Sequence, residues 1–153
     1  MSVSVSAPQH KVTSNANFML IKANLPAREV TGYAATWDPD EVDDKIVPTA
    51  FDRTLEERHN KPLHEKGRSD IRILWQHEGH KPLGVLVDAQ PDAKGLLVKI
   101  RISRTQHGDE ILQLLADGAI DRMSIGYMVK KSQQSPGGLR ILQDVDLWEI
   151  SFV

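Results

Sequence analysis

The chain contains no cysteine, which removes disulfides and thiolate metal sites. Any covalent chemistry must then start from serine, threonine or lysine activated by a base. No apolar run approaches the roughly 20 residues of a membrane-spanning helix. The start, Met1 to Ala7, lacks the basic cluster and apolar centre of a secretion signal. A formal net charge of −2 supplies no general basic field for nucleic acid or for an acidic membrane surface. These absences predict an intracellular, soluble protein without nucleic-acid or membrane partners. What is present is ordinary globular composition: 153 residues, 40% hydrophobic and 26% charged, enough for one domain with a real core.

Residues 1–16 are rich in Ser, Asn, Gln and Thr without hydrophobic periodicity, and read as a disordered leader. Residues 17–153 read as a single domain. Strands over 17–23 and 29–36 can pair as a hairpin. The acidic loop 37–45 invites calcium, but Val42 stands at the third EF-hand ligand position and Asp43 where the glycine is required, so a solvated loop is expected. A helix is expected from Pro48 or Thr49 to Arg58, with Phe51 and Leu55 as an i, i+4 pair, followed by a surface loop over 60–70. Strands follow over 71–75, 83–88 and 96–102, the last two as a hairpin. Ile111, Leu112, Leu114 and Leu115 mark an amphipathic helix over 108–117, capped by Gly118. A strand over 122–129, a turn over 135–138 and one long or two short strands over 139–153 complete the chain, whose end reads as a cut inside a longer polypeptide. About seven strands, mostly consecutive, and two helices predict a mainly β (α+β) fold: a small closed or curled antiparallel β-barrel with flanking helices.

Three stretches stand out chemically. In Arg122-Met123-Ser124-Ile125-Gly126-Tyr127-Met128-Val129, counting by twos puts Met123, Ile125, Tyr127 and Val129 on one face and Ser124 beside Gly126 on the other. The missing side chain leaves space above the sheet for a backbone or ligand. Taken alone, Ser124 reads as a surface serine on a half-exposed strand. Of six histidines, His10 lies in the leader, His59 and His64 near or in the 60–70 loop, and His107 at a helix entrance where capping or exposure explains it. His77 differs, because it ends a strand expected to be buried; it is either a hydrogen-bonded core residue or a functional base. His77 and His80 also form H-x2-H, but only Glu78 lies near and the spacing falls on a loop, short of a zinc ligand set. Glu149 shares a face with Leu147, Ser151 and Val153 by alternation. A carboxylate there requires a buried partner such as histidine, unless the strand is an edge and the carboxylate faces water.

Taken together, these stretches resemble the tailed-phage prohead (head maturation) proteases. The resemblance runs from Gly32-Tyr33-Ala34 and Pro48-Thr49-Ala50-Phe51, through Trp75-Gln76-His77, Lys94-Gly95-Leu96 and Asp117-Gly118, to Ser124-Ile125-Gly126-Tyr127 and the closing Leu147, Glu149, Ser151, Val153. It covers about residues 29–153 in order. It implies a serine endopeptidase with a fold similar to the herpesvirus maturation protease, with His77, Ser124 and Glu149 as the triad, spaced by 47 (124 − 77) and 25 (149 − 124) residues. Asp146 is the fallback for the third role, although its side chain should point away from Glu149. The resemblance further implies cleavage of a capsid protein precursor and its scaffold segment, autoprocessing, self-association, and work inside the assembling procapsid in the host cytoplasm, with no cofactor or metal. Rival readings are a non-catalytic capsid scaffold barrel and a metal-dependent hydrolase using His77 and His80.

Overall fold

A computed structural model describes residues 11–14, 20–39, 43–60 and 69–153. Nine strands form one curled sheet: β1 (Lys11–Ser14), β2 (Leu20–Asn24), β3 (Glu29–Thr36), β4 (Asp44–Ile46), β5 (Arg72–Trp75), β6 (Glu78–Pro91), β7 (Gly95–Ile102), β8 (Met123–Gln134) and β9 (Arg140–Phe152). The order across the sheet is β1-β8-β9-β5-β6-β7-β3-β2, with β4 also pairing β9. A 3-10 turn (Pro48–Phe51) runs into helix α1 (Asp52–Leu55) and a π turn (Glu56–Asn60); helix α2 (Gln106–Ala116) links β7 to β8.

The mainly β, curled-barrel architecture is the one expected. Two pairings depart from the antiparallel rule: β4 and β5 both run parallel to β9. The α1 segment carries the chain from one to the other, so both lie along the same edge of β9. Consecutive strands do pair as hairpins (β2–β3, β5–β6, β6–β7), because short turns allow nothing else. The hairpin partner of β9 is β8, but its parallel neighbours β4 and β5 come from remote parts of the chain, where no local turn signals direction. Within the stretch read as a disordered leader, Lys11–Ser14 form β1 and pair with the serine strand. The remainder of 1–16, residues 17–19 of the expected first strand, Val42, and His64 with most of the 60–70 loop lie outside the described residues.

Inside the curl, Val30, Ile73, Leu83, Leu96, Ile100, Ile125, Tyr127, Leu147, Ile150 and Phe152 are all essentially inaccessible. Burying such side chains contributes about 1.5–3 kcal/mol each relative to exposure. Ala50, Phe51 and Leu55 pack the α1 segment onto this core, and Ile111, Leu112 and Leu115 bring in α2. Helix α2 starts where Thr105 Oγ1 accepts the Gly108 N–H at 2.9 Å. It ends at Gly118, whose φ of 76° and N–H bond to Leu115 O are those of a left-handed C-terminal cap.

Candidate active site

The site assembles on β8, β9 and the β5–β6 turn. Strand β8 is antiparallel to β9, and Ser124 pairs with Ser151 while Gly126 pairs with Glu149. Directly opposed residues project to the same face, so Ser124, Gly126, Glu149 and Ser151 share one face.

Leu147 does not share it, contrary to the simple alternation of the sequence. The register passes from Gly126↔Glu149 to Tyr127↔Leu147, which leaves Trp148 as an extra residue in β9. This β-bulge advances the strand by one position. Leu147 therefore joins Val145, Ile150 and Phe152 in the core, all 0% exposed, while Glu149 and Ser151 stay on the opposite face. Upstream of the bulge, Asp146 is held by Arg58, with Nε and Nη2 donating to Oδ1 and Oδ2 at 3.0 and 3.1 Å, and by Thr54 Oγ1 at 3.2 Å. Burial works to raise its pKa, but the Arg58 hydrogen bond and charge, with help from Thr54 and Arg53, hold the carboxyl below the usual carboxylate range. Asp146 is thus engaged by Arg58 and Thr54, whereas the carboxylate that meets His77 is that of Glu149.

His77 reaches the site through a turn. Trp75 pairs with Glu78, so Gln76 and His77 form a two-residue hairpin loop. Both have positive φ, 51° and 60°, as a type I′ hairpin demands. Asn-Gly is the usual solution; side chains without that tolerance cost about 1–2 kcal/mol per residue in this region. The strain is opposed by two anchors on β9: Gln76 N–H donates to Phe152 O, and His77 N–H donates to Ser151 Oγ, each at 3.0 Å. Because β5 lies parallel beside β9, with Leu74 opposite Ser151, the turn folds the imidazole over that strand.

There His77 Nδ1 meets Glu149 Oε1 in a short contact, and Ser151 Oγ donates to Glu149 Oε2 at 2.7 Å. Glu149 is only 7% exposed and β9 is an interior strand, so the water-facing alternative does not hold. A carboxylate against Nδ1 fixes the ring proton there and leaves Nε2 to act as acceptor. Nε2 is buried and has no hydrogen-bond partner among the described residues. Ser124 is 1% exposed, one strand over from Ser151. Gly126 explains how a glutamate fits: a Cβ there would lie 2.6 Å from both Glu149 Cγ and Oε1. The open space read over this glycine is occupied by the protein's own carboxylate.

The remaining histidine readings separate. His80 is 77% exposed, with Nε2 3.4 Å from Glu78 Oε2. Among the described residues no three His, Asp or Glu side chains converge as a metal-ligand group. His107 is not the cap of α2, which is Thr105; it stacks edge-on against Trp75 with centroids 6.1 Å apart. The signals missed in the sequence were Ser151 and the bulge at Trp148. The Glu149-x-Ser151 spacing, which puts both on one face, could have flagged the serine, but nothing local marks the bulge.

Comparison with known proteins places the chain in a family. The chain is 29% identical over 131 residues to the capsid polyprotein of Pseudomonas phage PAJU2, covering 80% of this chain and 17% of that one. It is 25% identical over 126 residues to the prohead protease of Escherichia phage T5, covering 82% of this chain and 56% of that one. The chain therefore spans about half or less of these curated relatives. Its fold is similar to the bacteriophage T4 capsid assembly protease, with a TM-score of 0.66 at 10% identity over 97% of this chain and 99% of that one. The sequence pattern of the caudovirus prohead serine proteases matches residues 18–153, and the chain belongs to that family.

Proposed function

We propose that this chain is a serine endopeptidase domain that cuts a capsid protein precursor during prohead maturation, with Ser124 as nucleophile, His77 as general base and acid, and Glu149 as the group that orients His77. One observation carries the reading: His77 has Nδ1 against the buried carboxylate of Glu149, on the strand paired with the one that bears Ser124, and Nε2 has no hydrogen-bond partner among the described residues. In the reaction, Ser124 Oγ attacks the scissile carbonyl carbon while its proton passes to His77 Nε2. The tetrahedral intermediate collapses, the C–N bond breaks, and His77 returns the proton to the leaving amine. Water then repeats the sequence on the acyl-enzyme, with the same nitrogen first taking and then giving the proton. Glu149 keeps the proton on Nδ1 and stabilises the imidazolium formed in each half.

Family membership supports a protease role in capsid maturation. The names of the PAJU2, T5 and T4 proteins support a capsid protein as substrate, and its scaffold segment is part of the proposal. Autoprocessing, self-association and action inside the assembling procapsid in the host complete the proposal, with residues 17–153 as the protease domain. The test is co-expression with the capsid precursor, read on a gel for wild type, Ser124→Ala, His77→Ala and Glu149→Gln. The first two should abolish cleavage, and Glu149→Gln should slow it, as loss of the orienting carboxylate costs about 10⁴-fold in a Ser-His-Asp triad. Equal cleavage by wild type and Ser124→Ala rules the serine mechanism out. A chelator arm separates the metal-dependent alternative, in which EDTA rather than a serine reagent would stop the reaction.

A further inference from the structure

We propose that Ser151 is a positioning residue, a fourth member of the site that holds Glu149 and His77 in register; this rests on the serine-protease reading above. Ser151 is 0% exposed, and its hydroxyl bonds two members of the site at once. It donates its single proton to Glu149 Oε2 at 2.7 Å and accepts the His77 backbone N–H at 3.0 Å. A hydroxyl has one proton to give, and here it goes to the carboxylate oxygen that does not touch the imidazole. Glu149 is thereby pinned at both oxygens, one by His77 and one by Ser151.

The second bond serves the main chain. His77 sits at φ 60°, a conformation that a bulky residue adopts only when its surroundings hold it there. Its N–H is turned from the hairpin toward β9, where Ser151 receives it. The same side chain therefore sets the origin of the imidazole and the direction of the carboxylate that orients it. Two pieces of geometry that must agree for Nε2 to face Ser124 are made to agree by one hydroxyl. Ser124 itself is the β8 residue directly opposite Ser151, which ties the nucleophile's strand to the same point.

The experiment follows phosphonylation of Ser124 by a fluorophosphonate, a probe that needs no knowledge of the substrate. Wild type is compared with Ser151→Ala, Ser151→Cys and Ser124→Ala, with folding checked by thermal melting. Ser151→Ala should slow labelling about 10–100-fold, the usual cost of removing a partner that orients an active group. Ser151→Cys nearly keeps the volume but offers only a weak donor, so it should be as slow as Ser151→Ala. Labelling restored by Cys would reduce Ser151 to a packing residue and overturn the proposal. In parallel, the low-field proton resonance of His77 Nδ1–H should move in Ser151→Ala, because the carboxylate it bonds has lost its second anchor. Labelling that survives Ser124→Ala would sink the serine reading itself. Ser151 would then be judged on the resonance alone, and an unmoved resonance would overturn it.

Discussion

Replacing Gly126 by alanine tests the packing that makes room for Glu149. The added Cβ would sit 2.6 Å from Glu149 Cγ and Oε1 and 3.0 Å from Cδ. Ordinary carbon contacts begin near about 3.5 Å, so the carboxylate must retreat by about 1 Å. It has little freedom to do so, being tied to His77 Nδ1 and Ser151 Oγ. A 1 Å misplacement in a catalytic constellation costs about 10²-fold in rate. Overpacking costs about 1–3 kcal/mol, offset in part by the 0.4–1 kcal/mol or so that alanine saves in unfolded-chain entropy. The net of about 1–2 kcal/mol corresponds to a fall in Tm of about 3–6 °C for a chain of this size. Gly137→Ala is the control, since a Cβ there meets only Ser135 Oγ at 3.9 Å. Fluorophosphonate labelling and a melting curve on both variants decide the matter. Wild-type reactivity with an unchanged or raised Tm in Gly126→Ala would refute the reasoning, because the space above Gly126 could not then hold the carboxylate.

Arg58→Ala should destabilise the fold by about 3 kcal/mol in denaturant unfolding, because it takes from the buried Asp146 its nearest cation, leaving Thr54 and the more distant Arg53, and removes a guanidinium 3.9 Å above the Trp148 ring; a loss under about 0.5 kcal/mol would mark the pair as surface-like. Asp146 also predicts an acid limb. Its folded pKa lies below the unfolded value of about 3.9, so its stabilisation is complete above that pH and is lost as pH falls through the folded pKa. Asp146→Asn should flatten that limb in a pH series of melting temperatures, and an identical acid limb would discount the ion pair. At the exposed turn position Gln76, φ is 51°, so Gln76→Asn should raise stability by about 0.5 kcal/mol, since asparagine tolerates this region better; a lower Tm would argue against the hairpin geometry.

Much of the fold was legible because it is written locally. Alternation marked Ile125 and Tyr127 as one face of β8, and Leu96, Val98, Ile100 and Ile102 as the buried face of β7. The 3.6-residue period marked Ile111, Leu112 and Leu115, and Gly118 supplied the stop. Ser124, His77 and Glu149 could be singled out as polar groups on or at the end of apolar strands, but each alone allowed a structural or surface role, and it was the family resemblance that joined them as a triad.

By itself, then, the sequence determined most of the strands, the helical segments and the apolar core positions, which follow from nearest-neighbour sterics and hydrophobic period, but not β1, read as leader, β4, read as loop, or the Gln76-His77 hairpin turn. Tertiary structure alone decided how those elements meet. The extra residue Trp148 shifted the phase of β9, so that Leu147 entered the core while Glu149 remained opposite Gly126. Parallel pairing of β5 with β9 brought the Gln76-His77 turn over Ser151. Neither event has a local signature, because bulge position and the pairing of distant strands are set by which arrangement buries the whole core and satisfies every ladder at once.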